Sequence, residues 1–352
     1  MQLERAKGTE DYPPEKKILR NEIVETLKRV FERYGFNPLE TPILERYSTL
    51  SAKYAGGAEI LKETFRLKDQ GDRELGLRYD LTVPLARFIA MNPQVGFPFK
   101  RYQIEKVFRD GPVTKARIRE FWQCDVDTIG VKSLIADVEI IQLAIDAVKE
   151  LGLKCVIRIN NRKLLNEIIE YAGIKKDPLS VILSIDKLYK IGVDNVKKEL
   201  QEKKLSEDQI KKIISSISVS GTNKEKKEKL SKKINREGIQ EIKQVLNYFT
   251  DDVEFDPTLA RGLSYYTGTV FEIVLKDKSL GCSLGGGGRY DNMIGSFAER
   301  EMIPAVGISF GLEPITLMLE KIGKAKTTTT QIYVIPINTV DESIKITKKL
   351  RE

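Results

Sequence analysis

The 352-residue sequence predicts an α+β fold in which an antiparallel sheet is flanked by helices. Three observations predict it. Segments 101–109 and 119–129 alternate polar and apolar residues on either side of a loop holding Gly111-Pro112, the pattern of two paired strands. Segments 15–34, 81–91 and 134–150 carry apolar residues at helical spacing. The strand-like segments cluster in the middle of the chain and do not alternate one by one with helices, which argues against a strictly parallel sheet.

In the first helix, Ile18, Leu19, Ile23, Val24, Leu27, Val30 and Phe31 form the apolar stripe. Pro13 and Pro14 open it and Gly35 closes it, because proline suits a helix start and glycine a left-handed stop. Residues 64–68 and 75–79 read as hairpin strands around Gln70-Gly71-Asp72. Strands are expected at 269–275 and 282–286, a helix near 291–298, and a last apolar helix over 310–322 that ends at Gly323. Residues 324–330, KAKTTTT, read as a polar linker. Beyond it, QIYVIPI predicts a buried strand and DESIKITKKLRE the start of an amphipathic helix. Some 22 residues cannot bury a core of their own, so 331–352 reads as the first βα unit of a further domain.

Composition narrows the chemistry. There are 59 Lys and Arg against 51 Asp and Glu, a net charge of +8. Histidine is absent. Ser-His-Asp and Cys-His nucleophiles and imidazole metal ligands are thereby excluded. Three scattered cysteines with no CxxC spacing argue against a disulfide framework or a zinc site and fit a reducing cytoplasm. No run of about 20 apolar residues exists to span a membrane, and the charged N-terminus lacks the apolar stretch of a secretory signal. Most of the excess charge sits in 197–243, where 14 basic residues meet eight acidic ones and Leu200, Leu205, Ile210, Ile213 and Ile214 recur at helical spacing. Such a segment is either a solvated helical face with interleaved ion pairs or a module that meets a polyanion through its phosphates.

The chemistry concentrates in 101–130. On the second strand Arg119, Phe121, Gln123, Asp125 and Asp127 share parity and point to one face, with Trp122 and Val126 on the other. A polar sheet face is expensive to bury unless a ligand completes its hydrogen bonds, so this reads as a binding floor. Arg109, ending the first strand, and Arg117, in the loop, add guanidinium forks suited to phosphate or carboxylate. Asp80 and Thr82 lie at a strand-to-helix junction before Pro84, where either also fits a plain helix cap. Arg261 and Gly262 precede Tyr265 and Tyr266, and the four glycines 285–288 before Tyr290 let another chain or a ligand approach the backbone.

Taken together and in this order, these segments resemble the histidyl-tRNA synthetase family of class II aminoacyl-tRNA synthetases over nearly the whole chain. LETPILE (39–45) is similar to the dimer-forming motif 1 with its proline, Pro42. FRDGPVTKARIREFWQCD (108–125) is similar to motif 2 in its archaeal and eukaryotic form. LARGLSYYTGTVFE (259–272) resembles the family's own histidine-binding signature, which other class II enzymes lack. GGGGRYD and AVGISFGLEP (305–314) resemble the motif 3 region, and AKGTEDYPP and LRYDLTVP match as well.

The resemblance implies a catalytic core over 1–169 and 251–323, a helical, Lys-rich insertion over 170–250 that approaches the tRNA acceptor arm, a linker at 324–330 and an N-terminal stub of the anticodon-binding domain over 331–352. It implies attack of the carboxylate of histidine on the α-phosphate of ATP, with Mg²⁺ on the outer phosphates, then transfer of the histidyl group to the terminal ribose of tRNA. Such a carboxylate is already an anion and needs no general base, so a histidine-free protein can carry out the step. Positions matching the family give Arg109 and Arg261 to the α-phosphate, Arg117 to the γ-phosphate and Phe121 to the adenine. They give Asp80, Thr82 and Gln123 to the α-amino group, Asp127 and Tyr266 to the imidazole, and Tyr290 to the pocket wall. A cytoplasmic homodimer with motif 1 at its two-fold axis is implied as well.

Two local departures stand out. Pro314 occupies the place of the usual motif 3 arginine, which is expected to weaken ATP binding by about 1–2 kcal/mol. Asn160-Asn161-Arg162 stands where Asn-His-Arg is frequent and reads as a tolerated surface change. The main rival reading is the non-catalytic regulatory subunit of ATP phosphoribosyltransferase, which shares the fold, binds histidine as a signal and lacks a full anticodon domain. The retained arginines oppose it, because a sensor needs no phosphate clamp. A non-enzymatic RNA-binding protein would explain the lysines but not the polar sheet face.

Overall fold

The computed structural model describes residues 3–52, 61–114, 117–262, 265–277, 282–298, 302–323 and 328–352. Its centre is an eight-stranded sheet. In chain order the strands are β1 (Asn37–Pro38), β5 (Phe99–Phe108), β6 (Glu120–Ile129), β7 (Cys155–Asn161), β8 (Val253–Phe255), β9 (Thr269–Leu275), β10 (Gly285–Arg289) and β11 (Ala305–Gly311), and in space they run β1-β5-β6-β11-β10-β9-β7-β8. The middle of the sheet is antiparallel as predicted, while both edge pairs, β1 with β5 and β7 with β8, are parallel. A second antiparallel sheet joins β2 (Leu44–Arg46), β4 (Glu74–Leu77) and β3 (Arg66–Lys68), so the predicted hairpin forms.

One face of the large sheet is covered by α1 (Pro14–Arg33), α4 (Ile135–Glu150) and α12 (Leu312–Lys321). The predicted stripe on α1 does the covering: Leu19, Ile23, Leu27, Val30 and Phe31 are buried with Cys124 and Val126 of β6. Gly35 adopts φ +77°, the left-handed stop that only glycine takes without strain. The other face of the sheet carries a smaller cluster built on α2 (Tyr47–Leu50), α3 (Thr82–Met91) and α11 (Met293–Phe297), and this is where the cleft opens.

The basic segment is helical, as its spacing predicted. With α5 (Arg162–Tyr171) leading into it, α6 (Pro178–Asp186), α7 (Leu188–Glu202), α8 (Glu207–Ile217), α9 (Asn223–Ser231) and α10 (Glu237–Leu246) bury Leu200, Ile210, Ile213 and Leu230 in the same continuous cluster that lies under the sheet. Ser206 and Thr222 close reciprocal capping boxes on α8 and α9. The solvated-face reading of its charge leaves a trace: Lys212 pairs with Asp208 at 2.7 Å, one turn away. Lys226 instead is buried, donating to Glu254 at 3.1 Å and to the Phe255 carbonyl at 2.8 Å.

Four local expectations are corrected. Residues 282–284 precede β10 and are not part of a strand. Residues 305–311 form β11, so the last core helix starts at Leu312 and not at 310. The segment 331–337 forms no strand: Ile332, Tyr333, Ile335 and Ile337 are exposed, because no strand edge among the described residues is there to pair with their backbone. The helix that follows, α13 (Val340–Leu350), does form and buries none of its residues. Of the expected linker at 324–330, residues 324–327 lie outside the described residues.

The fourth correction is Asn161, expected at the surface. Asn160 and Asn161 are fully buried. The Asn161 Oδ1 accepts from the Lys163 N–H at 2.8 Å and caps α5, while its Nδ2 donates to Glu241 of α10 at 2.6 Å. The position ties the end of β7 to α10. Asn161→Ala is expected to lower unfolding free energy by about 1–2 kcal/mol, the worth of a lost cap and a lost hydrogen bond to Glu241. Urea denaturation checks it.

Candidate active site

A cleft of about 800 Å³ lies on the α3 side of the sheet. Its floor follows from register. Asp127 of β6 sits opposite Arg101 of β5 on one side and Gly307 of β11 on the other. One pleat along, Asp125 sits between Gln103 and Ser309. Ser309 neighbours Gly286 of β10, which neighbours Glu272 of β9. The alternation that set Gln123, Asp125 and Asp127 on one face therefore delivers three polar side chains to one trough.

The glycines shape that trough. A Cβ on Gly307 would lie 1.8 Å from Asp127 Oδ1, and one on Gly286 would lie 2.6 Å from an Arg261 guanidinium nitrogen. One on Gly288 would meet the Tyr266 ring at 2.9 Å. The missing side chains of β10 and β11 are the space into which Asp127, Arg261 and Tyr266 fold. The expected close approach to the Gly run is thus made by the protein's own site residues.

Arg261 reaches the cleft from the left-handed region, φ +49°, where a non-glycine residue is strained and usually held for a reason. Its guanidinium lies 3.4 Å from Glu272 and hydrogen-bonds Tyr266. Arg109 enters from the end of β5, donating through Nε to the Tyr79 carbonyl at 3.0 Å. Asp80 accepts from the Val83 N–H at 3.0 Å, so of the two junction residues it is Asp80 that caps α3, and Thr82 is the first residue of the helix. Tyr290 donates to Asp127 at 2.5 Å.

Eight of the ten residues singled out from sequence line this one cleft: Asp80, Thr82, Arg109, Gln123, Asp127, Arg261, Tyr266 and Tyr290. Two do not. Arg117 is half exposed and tied to Glu63 at 2.6 Å. Phe121 lies beneath Arg109, whose guanidinium carbon is 5.1 Å from the ring centre. Pro314 is in the first turn of α12, where a missing N–H costs little, and it does not line the cleft.

Sequence reasoning missed several groups. Arg101 is wholly buried under the floor with Nη2 2.8 Å from Asp127. Asp186, Tyr189 and Lys190, from the α6–α7 corner, form part of the cleft wall. Tyr189 donates to Asp256 at 2.5 Å and lies against the Arg158 guanidinium. No short-range pattern announces them, since they meet the cleft only through packing.

Burial dominates the electrostatics. It pushes the Asp80 carboxyl up to about 6, against the help of the Val83 N–H and of Arg109. It pushes Asp125 up to about 7, with Arg101 opposing and Asp127 and Asp80 adding to the rise. Asp127 is also raised by burial, with Arg101 and Tyr290 opposing. A cleft with several acids on its floor and Arg109, Arg158, Lys190 and Arg261 on its walls suits a ligand with separate cationic and anionic ends. No group of three or more metal-ligating side chains occurs among the described residues, and none of their helices is long and apolar enough to cross a membrane.

Residues 8–315 match the profile of the family described as histidyl-tRNA synthetase. The chain is 46% identical to Histidine–tRNA ligase 1 of Bacillus cereus, an alignment covering 100% of this chain and 84% of that protein. It is 44% identical to Histidine–tRNA ligase of the archaeon Aeropyrum pernix, over 88% of this chain and 72% of that one. The crystal structure of histidyl-tRNA synthetase from Nostoc sp. PCC 7120 superposes with a TM-score of 0.85 at 32% identity, covering 100% of this chain and 84% of that chain. A Bacillus halodurans structure described as an ATP phosphoribosyltransferase regulatory subunit/histidyl-tRNA synthetase shares the fold at TM-score 0.82 and 24% identity, over 100% of this chain and 90% of its own. The cleft, the glycine-lined floor and these matches agree: the chain belongs to the histidyl-tRNA synthetase family.

Proposed function

We propose that this chain ligates histidine to tRNA in two steps, forming histidyl-adenylate from histidine and ATP and then passing the histidyl group to the terminal ribose. The observation that carries the reading is the convergence of Arg109 and Arg261, from segments 152 positions apart, on one cleft whose floor is Gln123, Asp125 and Asp127. The chemistry needs two anions brought together and charge on the α-phosphate stabilised, which preorganised guanidiniums do. Arg109 and Arg261 hold the α-phosphate from two sides. Arg117, at the rim, would leave Glu63 for the γ-phosphate, and Phe121 would stack the adenine. Mg²⁺ is assigned to the phosphates of ATP. Asp80, Thr82 and Gln123 take the α-amino end of histidine, and Asp127, Tyr266 and Tyr290 the imidazole end, where donor and acceptor groups select a ring that can do both.

The domain division at 170–250, a homodimer and a cytoplasmic setting belong to the same proposal. The exposed Ile43 and Leu44, at the start of β2 and within LETPILE, supply apolar surface for a two-fold contact. The phosphate-facing arginines favour the ligase over a regulatory subunit, which binds histidine without cleaving ATP. The direct test is transfer of labelled histidine to a tRNA preparation. ATP-dependent charging is expected, and its absence in a protein that binds both small substrates would count against the reading.

The insertion's part is separable. Lys204, Lys211, Lys232 and Lys233 are exposed and hold no ion pair among the described residues. Replacing all four with Gln is expected to weaken tRNA binding. It should also flatten the dependence of binding on salt, by about 0.7–0.9 in log–log slope for each phosphate the lysines neutralise. Histidine-dependent ATP–pyrophosphate exchange, which needs no tRNA, would be unchanged.

A further inference from the structure

The three acids of the cleft are not equivalent. Asp127 is held by the protein itself: Oδ1 accepts from Tyr290 at 2.5 Å, and Oδ2, which has no hydrogen-bond partner, lies in an ion pair with Arg101 at 2.8 Å. Asp80 is partly engaged as the cap of α3. Asp125 is 3% exposed, and its Oδ1 has no hydrogen-bond partner. On the same strand face the Gln123 Oε1 is likewise buried without a partner.

A hydrogen-bond chain fixes how these groups are presented. The Gln123 Nε2 donates to Ser309 Oγ at 2.8 Å, and the Ser309 hydroxyl donates in turn to Asp125. The amide nitrogen of Gln123 is thereby turned toward Ser309 and its oxygen is left over. Two unsatisfied acceptors, one of them a buried carboxylate, are costly unless a ligand donates to them. A primary ammonium has three N–H donors, and Asp125 Oδ1, Gln123 Oε1 and the Asp80 carboxylate are three acceptors on one cleft. Asp80 adds to the rise of the Asp125 carboxyl, which Arg101 opposes, and a positive charge between the two acids would relieve the repulsion that remains. Histidine at neutral pH carries one dependable positive charge, the α-ammonium, since its imidazole is mostly neutral.

We propose that Asp125 is the principal ionic contact for the α-ammonium of the amino-acid substrate, completing a three-acceptor site with Gln123 and Asp80, while Asp127, held by Tyr290 and Arg101, stays with the imidazole end. This rests on the reading of the cleft as a histidine site. It adds to that reading a residue whose charge selects α-amino acids over ring analogues.

The test is calorimetric binding, which does not need the ligase reaction. In Asp125→Asn and Asp125→Ser, histidine affinity is expected to fall roughly 10- to 100-fold, the worth of a charge-assisted hydrogen bond. Histamine, which keeps the ammonium and lacks the carboxylate, should weaken by the same factor. Imidazole-4-propionate, which lacks the ammonium, should bind the variants and the wild type alike. Asn is isosteric and removes a charge that burial, Asp127 and Asp80 disfavour, so the Asp125→Asn melting temperature should equal or exceed that of the wild type. Unchanged histidine affinity, or equal loss for both analogues, would overturn the proposal. So would a markedly lower melting temperature for Asp125→Asn, which would make Asp125 a structural partner of Arg101. A wild type that binds histidine but catalyses no ATP–pyrophosphate exchange would fail the ligase reading alone. A wild type that binds no histidine would fail both.

Discussion

Arg261→Ala is expected to slow histidine-dependent ATP–pyrophosphate exchange roughly 10²- to 10³-fold, a loss of about 3–4 kcal/mol of transition-state stabilisation. The guanidinium sits over Gly286, beside Glu272 and Tyr266, on the cleft where the proposed reaction would develop charge on an α-phosphate. Because that charge grows only as the carboxylate attacks, the effect should fall on kcat more than on the KM for histidine. Arg261→Lys should recover little, since an ammonium supplies neither the planar fork nor the reach to two oxygens. Steady-state exchange at varied histidine and ATP checks the split. A change confined to KM would move Arg261 from chemistry to substrate binding.

The second large effect concerns stability. Arg101 is wholly buried and is the cation beneath two floor acids, in contact with Asp127 and opposing the rise in Asp125. Arg101→Met leaves those carboxylates buried without it, at a cost of about 3–5 kcal/mol, a fall in melting temperature on the order of 10 °C. The sign of its pH dependence follows from the direction of the shifts. An acid whose pKa is higher folded than unfolded penalises the fold once ionised, and the penalty disappears as pH falls through the folded value. With Asp125 near 7 and Asp80 near 6, the loss in Arg101→Met should be larger at pH 8 than at pH 5. The double variant Arg101→Met/Asp127→Asn should recover part of it. Differential scanning calorimetry at both pH values is the measurement.

Much of this was legible in the sequence wherever a local pattern carried the information. The alternation of β6 placed Gln123, Asp125 and Asp127 on one face because strand parity is independent of everything else in the fold. The stripe on α1, its proline start and Gly35 stop were readable for the same reason. Arg101 was not, because it takes its meaning from lying opposite Asp127, and the register of β5 on β6 depends on the geometry of the intervening loop. Asp186, Tyr189 and Lys190 reach the cleft only through packing of the α6–α7 corner against the sheet. Asn161 reads as polar and hence exposed, yet its two hydrogen bonds justify full burial. The apolar run 331–337 shows the converse: a strand pattern specifies a face but supplies no partner for the backbone.

The readings of the cleft and of Arg261 share one premise, that this cleft joins histidine to ATP. Purified protein supplied with histidine, ATP, Mg²⁺ and labelled pyrophosphate tests it directly. Label is expected to enter ATP only when histidine is present, and to stop entering when Arg261 is Ala. A folded protein that binds histidine yet returns no label to ATP would contradict the account.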